Sequence, residues 1–319
     1  APRRVLGSSG SAGTSFFAGS TLLAGQTASP FSSSYAPCDP VADTDTGTRT
    51  FTITTMHLPA TSGELSGGFD LDGMDKSAVA DGGSGSTVAG CGAKDRIHGV
   101  DNALGNAADG LAAALPIDTA FNQSLTSHPV TIRVTRYNGA AVDTCVALSV
   151  DVQYPRGVTR VTGAGRVDSG VITASFAAPL TFTVSLPSPS NPSMQADVAF
   201  TVRDLRARLV ANASLTTLFA GSYLGGLVFW DSADPAFDTV PALRDRMETW
   251  ATSLGLDAGT KGTVLQTFSG FQDLHMTSLG GREDCTGATP QSTNRNSISI
   301  GLEVTSLLRR HLADALWRR

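Results

Sequence analysis

The residues best suited to chemistry are the aspartates that lie between positions 70 and 102. One group reads Asp70-x-Asp72-Gly73-x-Asp75, and a second contains Asp95, Asp101 and Asn102. Carboxylate and amide oxygens are the ligands that Ca²⁺ prefers, and glycines allow the tight turns that gather such ligands around one ion. The spacing therefore predicts a single Ca²⁺ as cofactor. Its predicted ligands are Asp70, Asp72, Asp75, Asp95, Asp101 and Asn102.

Ordinary acidic turns are the alternative interpretation of this stretch. Position 12 counted from Asp70 is Asp81 rather than the bidentate glutamate of an EF-hand. Asp, Asn and Gly are common in turns, and Asp101 and Asn102 would then cap the helix that follows them. The number of oxygen ligands favours calcium. Zinc is not expected, because His98 is the one imidazole close by and Cys91 is expected to be oxidised.

Cysteine spacing predicts the compartment. Cys38, Cys91, Cys145 and Cys285 are widely separated and contain no C-x-x-C motif, which predicts two disulfides and an oxidising environment. Of the three pairings that four cysteines allow, we expect Cys91–Cys145 and Cys38–Cys285. Four unlinked thiols in a cytosolic protein are the alternative.

Composition excludes several classes of protein. The chain has 319 residues, of which 41% are hydrophobic and 16% charged, which suits one large globular domain or two small ones. A net charge of −5 with scattered basic residues predicts no nucleic-acid partner. No apolar run approaches the ~18 residues of a transmembrane segment. The start of the sequence lacks a basic region followed by an apolar stretch, so we expect a mature, exported chain.

Strands are the elements that must position the acidic stretch. The clearest signal is a hairpin in which alternating apolar residues flank Asn138-Gly139. Alternation also predicts a strand over 48–58 with a phase slip at Thr54-Thr55, and one over 198–209 with a bulge at Arg203-Asp204. Two strands over 172–186 are divided by Pro179. A helix is predicted between Val100 and Leu115, with Pro116 as its stop.

The predicted fold is α+β and β-rich, with an antiparallel sheet or sandwich and a helical C-terminal part. Residues 1–47 form a low-complexity N-terminal arm. Residues 48–235 form the β-rich domain with the calcium-type loop and one helix. Residues 236–319 pack against it, with helices over 241–254, over 260–269 and after Val304, and a strand over 296–304.

Several motifs, taken together, resemble an uncharacterised group of exported bacterial proteins that are often lipoproteins. The motifs are Gly-Phe-Asp70-Leu-Asp72-Gly, Cys91-Gly, Gly99-Val-Asp101-Asn102 and Ser297-Ile-Ser-Ile-Gly301. The resemblance spans about residues 50 to 305. It implies export to the periplasm or cell surface and supplies no activity.

Three functions follow from these observations. The sequence contains no G-x-S-x-G, H-E-x-x-H, P-loop or dinucleotide-binding motif. The leading hypothesis is a calcium-stabilised exported protein without catalytic activity that acts in surface structure, assembly or adhesion, through a protein partner or self-assembly. The alternative is a lipid or apolar-ligand binding protein in which the strands and residues 218–230 line a cavity. An exported hydrolase with a Ser or Asp beside His275 or His98 is third.

Overall fold

The structure is a computed structural model of the chain. It describes residues 38–40, 43–59, 69, 71, 102–111, 115–273, 276 and 296–306. Of the predicted N-terminal arm, the structure describes only residues 38–40 and 43–47. Of the predicted helix after Val304, it describes only residues 304–306.

The described residues form one antiparallel sheet of ten strands together with four α-helices and a short 3-10 helix at Pro235–Phe237. The strands are β1 (Gly47–Thr52), β2 (Thr55–His57), β3 (Val130–Tyr137), β4 (Val142–Tyr154), β5 (Gly157–Asp168), β6 (Val171–Phe176), β7 (Leu180–Ser188), β8 (Asn191–Val210), β9 (Tyr223–Phe229) and β10 (Ser297–Thr305). The α-helices are α1 (Ala103–Leu111), α2 (Ile117–Ser127), α3 (Leu243–Ser253) and α4 (Ala258–Ser269).

The sheet curls until its two ends are joined by one segment of chain. Its strand order is β1-β3-β4-β5-β6-β8-β9-β10-β2, with β7 paired to β8 beside this path. The end strands β1 and β2 are separated in sequence only by Ile53 and Thr54. The Ile53 N–H donates to the Val130 carbonyl and the Thr54 N–H to the Thr305 carbonyl, both at 2.9 Å. The predicted phase slip at Thr54-Thr55 therefore marks where the chain changes partner from β3 to β10.

Large side chains fill the interior of the curled sheet. The Phe121 ring on α2 lies 6.5 Å from the Phe182 ring and 5.2 Å from the Phe200 ring, measured between centroids. Trp250 on α3 is fully buried, and its indole N–H donates to the Leu186 carbonyl at 3.0 Å. One continuous apolar core results, with α2 against β7 and α3 against β8. No helix in the described part of the chain has the length and apolar composition needed to cross a membrane.

The predicted fold class is confirmed, and so are the main local signals. β3 and β4 flank the Asn138-Gly139 turn, where Gly139 has φ +85°, and Pro179 separates β6 from β7. The pairing of β8 with β9 shifts register between Arg203 and Arg206, and Asp204 has φ +45° there. This shift is the predicted bulge.

Two elements were not predicted. β5 is a full strand between β4 and β6, and α2 begins directly after Pro116, so two helices follow the acidic stretch rather than one. The C-terminal part also contributes β10 to the sheet, between β9 and β2. The described residues after position 240 thus form two helices and then one strand, and this strand was predicted over 296–304.

The predicted disulfide pairing is wrong. Cys38 is bonded to Cys145, with the two Cα atoms 5.5 Å apart, so neither Cys91–Cys145 nor Cys38–Cys285 is formed. Cys145 lies beside the β4 bulge, where the pairing with β5 shifts register between Asp143 and Val146. Cys91 and Cys285 lie outside the described residues. The observed bond attaches the chain just before β1 to the strand two positions away in the sheet.

Candidate functional site

Three described residues in or beside the acidic stretch, Phe69, Leu71 and Asn102, lie on the outer face of the sheet, opposite the filled interior. Along β10, Ile298, Ile300 and Leu302 face the core, so Ser299 and Gly301 lie on the outer face. The residues of β9, and most residues of β10, are nevertheless buried on both faces of the sheet. These two strands therefore have a covering on their outer side as well.

Phe69 and Leu71, on either side of Asp70, form part of that covering. Both are buried in a small apolar cluster with Tyr223 and Leu227 of β9. The Phe69 ring lies directly over Gly225, where a Cβ atom would come within 2.8 Å of the ring. Only glycine at position 225 leaves room for this contact.

Asn102 attaches the other end of the stretch to β10. Its Oδ1 accepts the N–H groups of Gly301 at 3.0 Å and Gly105 at 3.1 Å, and its Nδ2 donates to the Gly301 carbonyl at 3.1 Å. The bond to Gly105 makes Asn102 the N-cap of α1, as the turn interpretation predicted. Both lone pairs of Oδ1 already accept N–H groups, which argues against Asn102 as a calcium ligand. Its place in the predicted ligand set stays a prediction.

The two attachment points lie side by side on neighbouring strands of the sheet. Gly225, which contacts Phe69, and Gly301, which binds Asn102, are direct partners in the register of β9 and β10. Opposed residues in an antiparallel pair have Cα atoms about 4.5 to 5.5 Å apart. Asp70 follows Phe69 in the chain and Asp101 precedes Asn102. The predicted ligands Asp70, Asp72, Asp75, Asp95 and Asp101 themselves lie outside the described residues.

Other side chains complete the free edge of β10, and sequence reasoning missed them. The Asp273 backbone N–H donates to the Ser297 carbonyl, and its carboxylate accepts the Ser299 N–H at 2.8 Å and the Ser299 hydroxyl. The Ser299 Oγ accepts the first N–H of α1, from Ala103, at 2.8 Å. Asn102 and Asp273 thus act on this edge as a neighbouring strand would. No group of three or more His, Cys, Asp or Glu side chains arranged to hold a metal occurs among the described residues.

Charged groups lie in the same row as these contacts and in the row next to it. Arg206 on β8 is the register partner of Gly225 and donates to Asp204 at 3.0 Å, which balances its charge locally. In the next row, burial raises the pKa of Tyr223 to about 12, the nearby Glu303 carboxylate adds to the increase, and Arg208 opposes it. The outer face at the centre of the sheet is therefore polar as well as buried.

The raised pKa of Tyr223 predicts a loss of stability in alkali. A phenol with a folded-state pKa near 12, against 10.0 when unfolded, contributes stability that is complete below pH 10 and is lost as pH rises through 12. We expect the free energy of unfolding to fall by about 2 kcal/mol over this interval. Tyr223→Phe should remove that part of the fall. Urea unfolding at a series of alkaline pH values, with tyrosinate absorbance followed in parallel, measures it. An unchanged slope in the variant would assign the alkaline loss to other groups.

Comparison of the chain with protein-family models, with curated proteins and with solved structures finds no match in any of the three.

Proposed function

We propose that the protein is an exported, calcium-stabilised structural protein without catalytic activity that acts at the cell surface in assembly or adhesion. The observation that carries the proposal is the meeting of Phe69 and Asn102 on the paired residues Gly225 and Gly301. Asp70 and Asp101 are their immediate neighbours in sequence, so this arrangement favours bringing the two acidic groups together. Carboxylates that are brought together repel one another, and a divalent cation offsets that repulsion.

The disulfide supports export. Bonds between cysteines persist in the periplasm and outside the cell and are rare in the reducing cytosol. Cys38–Cys145 fixes the chain close to the segment that closes the sheet, which is a structural use of the bond.

The filled interior favours a structural role over the carrier. A carrier holds its apolar ligand in a cavity of some hundreds of Å³. Here Phe121, Phe182 and Phe200 meet in the middle of the curled sheet, and Leu224, Val228 and Trp230 from the 218–230 segment belong to the same packed core.

Calcium binding is tested by thermal unfolding of the full chain after complete removal of metal. Added Ca²⁺ is expected to raise the melting temperature through preferential binding to the folded state. Asp70→Asn and Asp101→Asn should each reduce the shift, because they remove a charge and retain an oxygen. Asp238→Asn, at an exposed position after the 3-10 helix, is the matched control and should keep the full shift.

Indifference of the wild-type melting curve to Ca²⁺, Mg²⁺ and Mn²⁺ would show that the aspartates are ordinary turn residues. Native mass spectrometry of the same sample separates the functions. One Ca²⁺ per chain with reversible multimers supports the structural proposal, whereas a co-purified lipid supports the carrier.

A further inference from the structure

A row of three different polar side chains crosses the outer face of β8, β9 and β10. Arg208 is the register partner of Tyr223, and Tyr223 is the register partner of Glu303. Side chains at such positions have Cβ atoms about 5 Å apart. The Arg208 residue is 5% exposed and Tyr223 is 8% exposed. An arginine, a tyrosine and a glutamate therefore occupy neighbouring positions in one row, where Arg208 and Tyr223 are buried and Glu303 is half-buried.

The Arg208 guanidinium has far more donors than partners. It carries five N–H groups, and Nη1 donates to the Gly221 carbonyl at 3.0 Å. In the part of the chain that the structure describes, this is its one hydrogen bond, and no carboxylate forms an ion pair with it. Arg206, equally buried on the same face of the same strand, has Asp204 at 3.0 Å. A buried cation without an anion is costly, and burial lowers the pKa of Arg208 accordingly.

Tyr223 supplies a second unused donor. Its hydroxyl has no hydrogen-bond partner among the described residues, and a phenol whose pKa is about 12 stays protonated at neutral pH. Glu303, on the other side of Tyr223, accepts the Gly221 N–H through Oε1 at 2.7 Å. Gly221 is thus held by Arg208 through its carbonyl and by Glu303 through its N–H. The acceptor that Arg208 and Tyr223 lack is not supplied by Glu303.

We propose that Arg208 and Tyr223 bind the carboxylate group of a small molecule. Arg208 donates two parallel N–H groups to the two carboxylate oxygens, and the Tyr223 hydroxyl donates a third hydrogen bond. Glu303 forms no ion pair with Arg208, but its negative charge in the same row limits how much further negative charge the site accepts, so a monoanion fits better than a phosphate dianion. Because Arg208 and Tyr223 are nearly buried, a small carboxylate such as acetate is the appropriate probe. This binding site is additional to the structural role proposed above.

The test compares thermal unfolding of the full chain in sodium acetate and in sodium chloride at equal ionic strength near neutral pH. Acetate is expected to raise the melting temperature above its value in chloride. Tyr223→Phe should weaken acetate binding about tenfold, the equivalent of one hydrogen bond to a charged group. Arg208→Gln should abolish the effect. Arg156→Gln removes a positive charge from the exposed turn between β4 and β5, and this control variant should retain the acetate effect.

The stability of Arg208→Gln without acetate separates a binding role from a structural one. A binding arginine predicts a variant at least as stable as the wild type, because an uncompensated buried charge has been removed. If this variant does not fold, Tyr223→Phe decides the question. Equal melting temperatures in acetate and chloride, or an acetate effect that both variants retain, would overturn the proposal. Tighter binding of inorganic phosphate than of acetate would overturn the assignment of a carboxylate.

Discussion

Asn102→Asp is expected to lower the free energy of unfolding by about 4 kcal/mol, although the two side chains have nearly the same shape. The substitution replaces the Nδ2 donor with an oxygen that faces the Gly301 carbonyl at about 3 Å, and it buries a negative charge at a residue that is 1% exposed. The Gly301 carbonyl loses its partner on the free edge of β10. Urea unfolding of the purified variant measures the change.

This substitution separates the two roles considered for Asn102. As a calcium ligand, an aspartate would bind Ca²⁺ at least as well as asparagine does, and added calcium would restore the variant. If Asn102 instead completes the edge of β10, the variant will lose stability and added calcium will not restore it. Asn191→Asp at the exposed start of β8 is the matched control and should change stability by less than about 0.5 kcal/mol. A fully stable Asn102→Asp variant would contradict the contacts described for β10.

Removal of the Cys38–Cys145 bond, by Cys38→Ala with Cys145→Ala, is expected to cost about 2 to 4 kcal/mol. The bond joins residues 107 positions apart, and a long loop is the case in which a cross-link most restricts the unfolded chain. It also holds residue 38 next to β4, close to the start of the closing segment. Urea unfolding of the double variant and of the wild type, both without reductant, gives the difference.

Reduction provides the control for this prediction. Adding reductant to the double variant shows whether a bond between Cys91 and Cys285 contributes to the free energy of unfolding. Thiol titration after denaturation without reductant counts the free cysteines directly. We expect no free thiols in the wild type. Four free thiols, or a double variant as stable as the wild type, would remove the disulfide and the argument for export with it.

Features that depend on neighbouring residues were predictable from the sequence. Alternation located β6, β7 and β10, and the phase slips at Thr54-Thr55 and Arg203-Asp204 located two irregularities. β5 was missed because its inward positions 163 and 165 are glycines, which interrupt the apolar alternation. A tertiary contact explains the glycine at position 163, because a Cβ there would come within 2.8 Å of the Phe176 ring. No property of β5 itself reveals that ring.

The site was predictable only in part for the same reason. The capping role of Asn102 is local, but its contact with Gly301 joins residues 199 positions apart. The serines of β10 alternate with apolar residues, which is typical of a strand with one face in water. Ser299 is instead covered by α1 and bound to Asp273. The pairing of Cys38 with Cys145 likewise follows from strand order, which composition does not determine.

The closure of the sheet has a consequence for how the chain folds. The segment that contains β1 and β2 comes early in the sequence, yet the Thr54 N–H donates to the Thr305 carbonyl, 251 residues later. A ribosome or a translocation channel that releases this chain from its N-terminus cannot deliver a completed sheet until the last strand has emerged. Pairing between such distant segments is also slow, because the intervening chain must be ordered first. The sheet is therefore completed only at a late step, when β10 pairs with β9 on one side and with β2 on the other.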